Sequence, residues 1–168
     1  MEVGDVAEDF VLPDERGRLR SLTGLLAGGS VVLFFYPGAF TSVCTAQACR
    51  FRDVAADLRG VGALPVGVSC DFVERQAAFA QAYQLGFPLL SDPAGEVRSQ
   101  FGVRRTRGPW PTRRVTFVID PARRIIEVVR SEIRVNQHAD RALLALRRYR
   151  SQRIGPEPLS WWGSRSAT

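Results

Sequence analysis

The chain has 168 residues, 45% of them hydrophobic and 24% charged, which is the size and usage of one globular domain able to bury a full core. That composition excludes a disordered tail, a collagen-like repeat and a disulfide-dense mini-scaffold, and no apolar run approaches the roughly 18 residues of a membrane span. The net charge of +6 rests on 23 arginines and no lysine, and 15 of the arginines follow Arg98 without forming one stripe, so nucleic-acid binding is not expected.

The first residues, MEVGDVAEDF, carry acids where a secretory signal carries bases, and no apolar stretch follows, so a cytoplasmic location is expected. Residues 10–12 form a short apolar strand that can pair with 18–22 across a turn at 14–17. Residues 30–36, SVVLFFY, are β-branched and aromatic throughout, the pattern of a strand buried on both faces. Pro37-Gly38 ends it, and Thr41 can cap a helix running to about residue 59, with Val43, Phe51, Val54, Ala55 and Leu58 as its apolar positions. A strand at 64–69 follows, then a helix over 71–83 in which Asp71 and Glu74 form a capping box. Residues 87–90 are short and extended, and Asp92-Pro93 opens a helix to about 101 with Pro at its first position.

An irregular loop over 103–113 holds Gly108, Pro109 and Pro111. Residues 115–119 and 124–130 form a hairpin, and an amphipathic helix over 137–150 closes the domain. Strands separated by helices imply right-handed crossovers and a parallel core, to which the hairpin adds antiparallel edge strands. The fold class is therefore α/β, a three-layer α/β/α sandwich with a mixed central sheet, over residues 1–150. Residues 151–168, SQRIGPEPLSWWGSRSAT, lose periodicity and form an extension. Its adjacent Trp161 and Trp162 are expected to pack on the domain or on another subunit, because exposing both is costly.

The chemistry gathers at one strand-to-helix junction, where YPGAFTSVC sets Pro37, Thr41 and Cys44 in the pattern Pro-x-x-x-Thr-x-x-Cys. Cys44 falls in the first helical turn, where unpaired backbone N–H groups and the helix dipole favour an anion and so a reactive thiolate. Thr41 can bring its hydroxyl to the space before the sulfur. Pro37 stiffens the entry and adds no competing donor.

At these residues the sequence resembles the peroxiredoxins, thiol peroxidases of the thioredoxin-like superfamily. The resemblance spans about residues 3–150 and includes FFYP, PGAFTSVC, CTAQACRFRD, FPLLSD at 87–92 and RVTFVID at 114–120. It is closest to the bacterioferritin-comigratory, or peroxiredoxin Q, branch, because Cys49 follows Cys44 with four residues between. That branch usually carries Thr-Pro-x-Cys; Ser42-Val43 stands here instead, a form more like one-Cys and actinobacterial peroxiredoxins. The resemblance implies a thioredoxin-like sandwich in which Cys44 is the peroxidatic nucleophile and Thr41 holds the peroxide. Arg114 would keep the sulfur ionised and steady the transition state, and Pro37 would wall the pocket. It also implies a peroxide substrate and reduction by thioredoxin or a related dithiol donor, with no metal or other cofactor, in a monomer or homodimer free of membrane and nucleic acid. Gln47, one turn beyond Cys44, can bond Arg114 or Thr41.

The same resemblance makes Cys49 the resolving thiol. Five residues along an α-helix separate Cα atoms by about 8.7 Å, whereas a disulfide needs about 4.4–6.8 Å, so a Cys44–Cys49 bond requires the first turns to unwind. The alternative is a one-Cys peroxidase resolved by an external thiol. A protein-disulfide oxidoreductase is disfavoured, since Cys-x4-Cys is not the Cys-x-x-Cys pair. A redox-switched binding protein has only the tryptophan-bearing tail and the positive charge to support it. Cys70, at the carboxyl edge of the sheet, reads as a structural thiol or a back-up resolving one. His138 reads as a surface residue at a helix start, and zinc ligation by it and three cysteines has no matched spacing. The four arginines around Trp110 read as a solvated loop, or as the rim of the peroxide pocket.

Overall fold

The structure, a computed structural model, describes residues 1–154; Trp161 and Trp162 lie outside the described residues. Its centre is β3 (Ser30–Phe35), six consecutive buried residues. Alternate side chains of a strand point to opposite faces. Accordingly Val31, Leu33 and Phe35 feed one apolar core, and Val32 and Phe34 feed the other. The continuous apolar run seen in the sequence is therefore the signature of a strand covered on both sides.

β3 pairs in parallel with β4 (Ala63–Ser69), which pairs in parallel with β5 (Leu89–Ser91). On its other side β3 pairs antiparallel with β6 (Val115–Ile119), and β6 with β7 (Ile125–Arg130), giving the order β5-β4-β3-β6-β7. Only β7 of the expected edge hairpin is an edge; β6 lies inside the sheet, since it hydrogen-bonds to β3 on one side and β7 on the other. One face is covered by α2 (Ser42–Gly60), α3 (Val73–Tyr83) and α5 (Asn136–Arg153), through Phe51, Leu58, Phe79, Ala142 and Leu146. The other is covered by the hairpin of β1 (Val11–Pro13) and β2 (Leu19–Ser21), by α1 (Leu22–Leu26) and by α4 (Glu96–Gln100). This is the expected α/β/α sandwich with a mixed sheet.

Two local expectations give way, and one short helix was not expected. Asp71 does not cap α3: Phe72 holds the cap position without a side-chain bond, and the Asp71 carboxylate turns instead to the Ala39 amide at 2.8 Å. Pro93 is not the first helical residue. Gly95, at φ 74, makes a left-handed turn that delays α4 to Glu96, and Asp92 reaches over that turn to accept from the Val97 and Arg98 amides. The short α1, which the sequence reading passed over, is capped by Ser21, whose hydroxyl accepts from the Gly24 amide at 2.9 Å.

Candidate active site

Register decides which residues meet. Phe35, the last residue of β3, stands beside Val68 of β4 and opposite Val115 of β6. Because β6 runs antiparallel, its beginning lies at the edge where β3 and β4 end, which brings Arg114 beside the Tyr36-Pro37 exit.

The chain then crosses 38–41 under restraint. Phe40 takes φ 65, an uncommon conformation for an aromatic residue. It is held by its neighbours: Ala39 donates its amide to Asp71 and accepts at its carbonyl from Arg75 Nη2 at 3.0 Å, and the Arg75 guanidinium lies over the Phe40 ring. Asp71 and Arg75 are themselves paired at 3.2 Å. The two ends of one ion pair therefore grip both polar groups of a single residue.

Thr41 sits at the cap of α2 as expected, yet its hydroxyl donates to the Gly38 carbonyl at 3.0 Å rather than accepting from the helix. The first helical bond runs from the Thr45 amide to the Thr41 carbonyl at 2.8 Å, so the amides of Ser42, Val43 and Cys44 have no acceptor within the helix. Cys44, the third helical residue, is only 2% exposed. Arg114, 4% exposed, places Nη2 3.3 Å from the Cys44 sulfur and donates from Nη1 to Gln47 Oε1. Its backbone amide donates to Glu132, which also accepts from Arg105 at 3.0 Å.

Pro37, Thr41, Cys44 and Arg114, four of the five residues singled out from the sequence, line one cavity of about 280 Å³. Val43 and Trp110 complete its apolar wall, so Val43 faces the pocket mouth and is 39% exposed instead of packing in the core, and Trp110 is the one residue of its loop at the rim, the four loop arginines standing outside this cavity. The fifth residue, Cys49, is on α2 outside this cavity, half-buried and unbonded. Cys70 is also outside it, with its sulfur 2.7 Å from Arg98 Nη1 and 3.7 Å from the Thr112 hydroxyl. Asp71, Arg75 and Glu132 were missed as contributors. Asp71 carried a signal that fitted a helix cap equally well, and Arg75 and Glu132 carried none.

His138 is a correction. It is fully buried, not on the surface: Nε2 donates to the Ser131 carbonyl at 2.8 Å, and Nδ1 accepts from the Thr116 hydroxyl at 2.7 Å. Both bonds suit the neutral ring, and burial pushes its pKa down to about 4, with the nearby Arg114 charge acting in the same direction. It stands beneath the strand that delivers Arg114 and does not line the cavity.

Residues 3–128 match the AhpC/TSA family. Among curated proteins, a putative peroxiredoxin of Mycobacterium tuberculosis is 48% identical over 153 residues, which is 90% of this chain and 99% of the relative. The crystal structure of the peroxidoxin BcpB from Mycobacterium tuberculosis superposes with a TM-score of 0.86 at 49% identity, covering 90% of this chain and 99% of that one. A bacterioferritin comigratory protein of Xanthomonas campestris, solved in work on its alkyl peroxide reduction activity, superposes at 0.77 with 26% identity, covering 84% and 92%.

Proposed function

The chain belongs to the AhpC/TSA family and is a peroxiredoxin of the bacterioferritin-comigratory type, a thiol peroxidase, and from there we propose that Cys44 is the sulfur that reduces the peroxide. The carrying observation is the Arg114 guanidinium 3.3 Å from a sulfur that is itself buried. A buried cation beside sulfur stabilises negative charge there, and the unpaired amides at the start of α2 act in the same sense.

In this reading the peroxide enters between Thr41, Trp110 and Arg114. The Thr41 hydroxyl has given its proton to Gly38, so its oxygen is free to accept from the peroxide O–H. The Cys44 thiolate attacks one peroxide oxygen. An S–O bond forms, the O–O bond breaks, and its electron pair leaves on the far oxygen, which takes a proton and departs as water or an alcohol. Sulfur is oxidised by two electrons to the sulfenic acid and the peroxide is reduced by two. Arg114 steadies the charge as it moves from sulfur to oxygen. Pro37 closes the wall against competing donors. The apolar rim of Val43 and Trp110 suits organic hydroperoxides as well as hydrogen peroxide.

The Cys49 sulfur then attacks the sulfenic sulfur, the S–O bond breaks, the hydroxyl leaves with the Cys49 thiol proton as water, and a Cys44–Cys49 disulfide forms that thioredoxin or a similar dithiol reduces in the cytoplasm. Support comes from the five-residue spacing and from the partial exposure of Cys49. The intact α2 across both residues favours a second reading, in which an external thiol resolves Cys44 and Cys49 stays inert. The assignment of the nucleophile is tested by mixing reduced protein with one equivalent of hydrogen peroxide. Cys44→Ser should abolish peroxide consumption and Cys70→Ser should keep most of it. Comparable losses in both variants would sink the assignment.

A further inference from the structure

A buried chain of side-chain hydrogen bonds ties the ends of β3, β4 and β5 to α3 and finishes at the loop that carries Thr41. Tyr36 donates its hydroxyl proton to Gln76 Oε1, and the Gln76 amide donates to Ser69 Oγ and to the Leu90 carbonyl, both at 2.9 Å. Ser69 in turn donates to Asp71 Oδ2 at 2.7 Å, the same oxygen that accepts from the Ala39 amide at 2.8 Å. Tyr36, Gln76 and Ser69 are 1%, 0% and 2% exposed. Burial pushes the pKa of the Tyr36 phenol up, so it stays a donor throughout the neutral range.

Only one proton arrangement satisfies this chain. A carboxylate only accepts, so Asp71 takes protons from both Ala39 and Ser69. The Ser69 proton is then spent, and its oxygen must accept from Gln76. Turning the Gln76 amide over would set its carbonyl against that of Leu90. Every donor thus points toward Asp71, and each bond polarises the next. The chain ends on the residue before left-handed Phe40 and two before Thr41, whose hydroxyl is held to Gly38 at 3.0 Å. We propose that Gln76 is a positioning residue for peroxide attack: through Ser69 it fixes the Asp71 carboxylate, hence Ala39, and so the Thr41 oxygen that receives the peroxide. The proposal rests on the reading of Cys44 as the attacking sulfur and of Thr41 as the acceptor of the peroxide O–H.

The test compares two reactions of Cys44 in the reduced full chain, with hydrogen peroxide and with iodoacetamide, each followed by peptide mass mapping. Alkylation uses the same sulfur and has no peroxide to orient. Gln76→Met, similar in length, should slow the peroxide reaction about fivefold or more, the loss of one hydrogen bond, and change alkylation less than about twofold. Ser69→Ala, a smaller change that cuts the same link, should do likewise, and it carries the test if Gln76→Met loses the parent circular dichroism. In a Thr41→Val background neither substitution should slow peroxide further, because the oxygen they position is gone. Equal slowing of both reactions, no slowing of either, or losses that add to that of Thr41→Val would overturn the proposal. Failure of the Cys44 assignment reads differently: Cys44→Ser would then still consume peroxide, whatever Gln76 does.

Discussion

Arg114 and Gln47 meet side chain to side chain inside the protein, Nη1 donating to Oε1, with the other guanidinium nitrogen turned to the Cys44 sulfur. Gln47 therefore holds the guanidinium beside the sulfur. Arg114→Ala should slow peroxide attack by more than tenfold, a loss above about 1.4 kcal/mol of transition-state stabilisation. Gln47→Leu should slow it less, because the charge stays while its aim loosens. Stopped-flow thiol loss measures both, and an unchanged rate in Arg114→Ala would remove it from the chemistry.

The Asp71–Arg75 pair is expected to matter through shape. Exposed ion pairs contribute little by themselves, but this one holds the Ala39 amide and carbonyl next to a left-handed Phe40. Arg75→Ala should lower stability by about 1 kcal/mol, the worth of one hydrogen bond, and slow peroxide attack severalfold with thioredoxin turnover following in proportion. Amide exchange at 38–44 should quicken. Unchanged exchange there would mean the loop stands without the clamp.

Resolution through Cys49 requires α2 to open. Oxidation by one equivalent of peroxide should give a Cys44–Cys49 link, seen by peptide mass mapping, together with faster amide exchange over 41–52. Cys49→Ser should complete one turnover, stall at the sulfenic acid and over-oxidise to sulfinic acid as peroxide rises. If that variant turns over normally with an external thiol, the resolving role passes to the donor and the peroxidase assignment is untouched.

His138 supplies a pH test. Its pKa falls from 6.5 to about 4 on folding, so between those values the unfolded chain binds the extra proton. The stabilisation is complete above pH 6.5 and is lost as pH falls toward 4, amounting to roughly 3 kcal/mol at 1.36 kcal/mol per unit. Because it is the sole histidine, its ring proton resonances report it directly. Titration near 6.5 in the folded protein would refute the buried, neutral assignment.

What could be read beforehand was what is local. Pro37, Thr41 and Cys44 fall within eight residues, so their junction was visible as strand, turn and helix start, and the run before it announced a doubly covered strand. Arg114 was different: taken alone it looked like a charge at a strand start, and only the family resemblance pointed it at Cys44. His138 was misread because a polar residue near a helix start resembles surface, while its partners Thr116 and Ser131 come from the preceding hairpin and the turn after it. The grip of Asp71 on Ala39 joins residues 32 apart, and no periodicity encodes that. Asp71 and Asp92 show a narrower failure, since each satisfies backbone amides as such residues do, but at a distance that cap rules do not reach.

The antiparallel join of β3 to β6 also bears on how the protein is made. Cys44 and Arg114 are 70 residues apart, and β6 must enter the sheet before they touch. While the chain is being synthesised, amino end first, the cysteine exists for a period without its cation. On the proposed assignment of Cys44 as the peroxidatic sulfur, its fast reaction with peroxide would begin only when the second half of the sheet docks. The fraction of a refolding population that reacts fast would then track how much of it has finished folding.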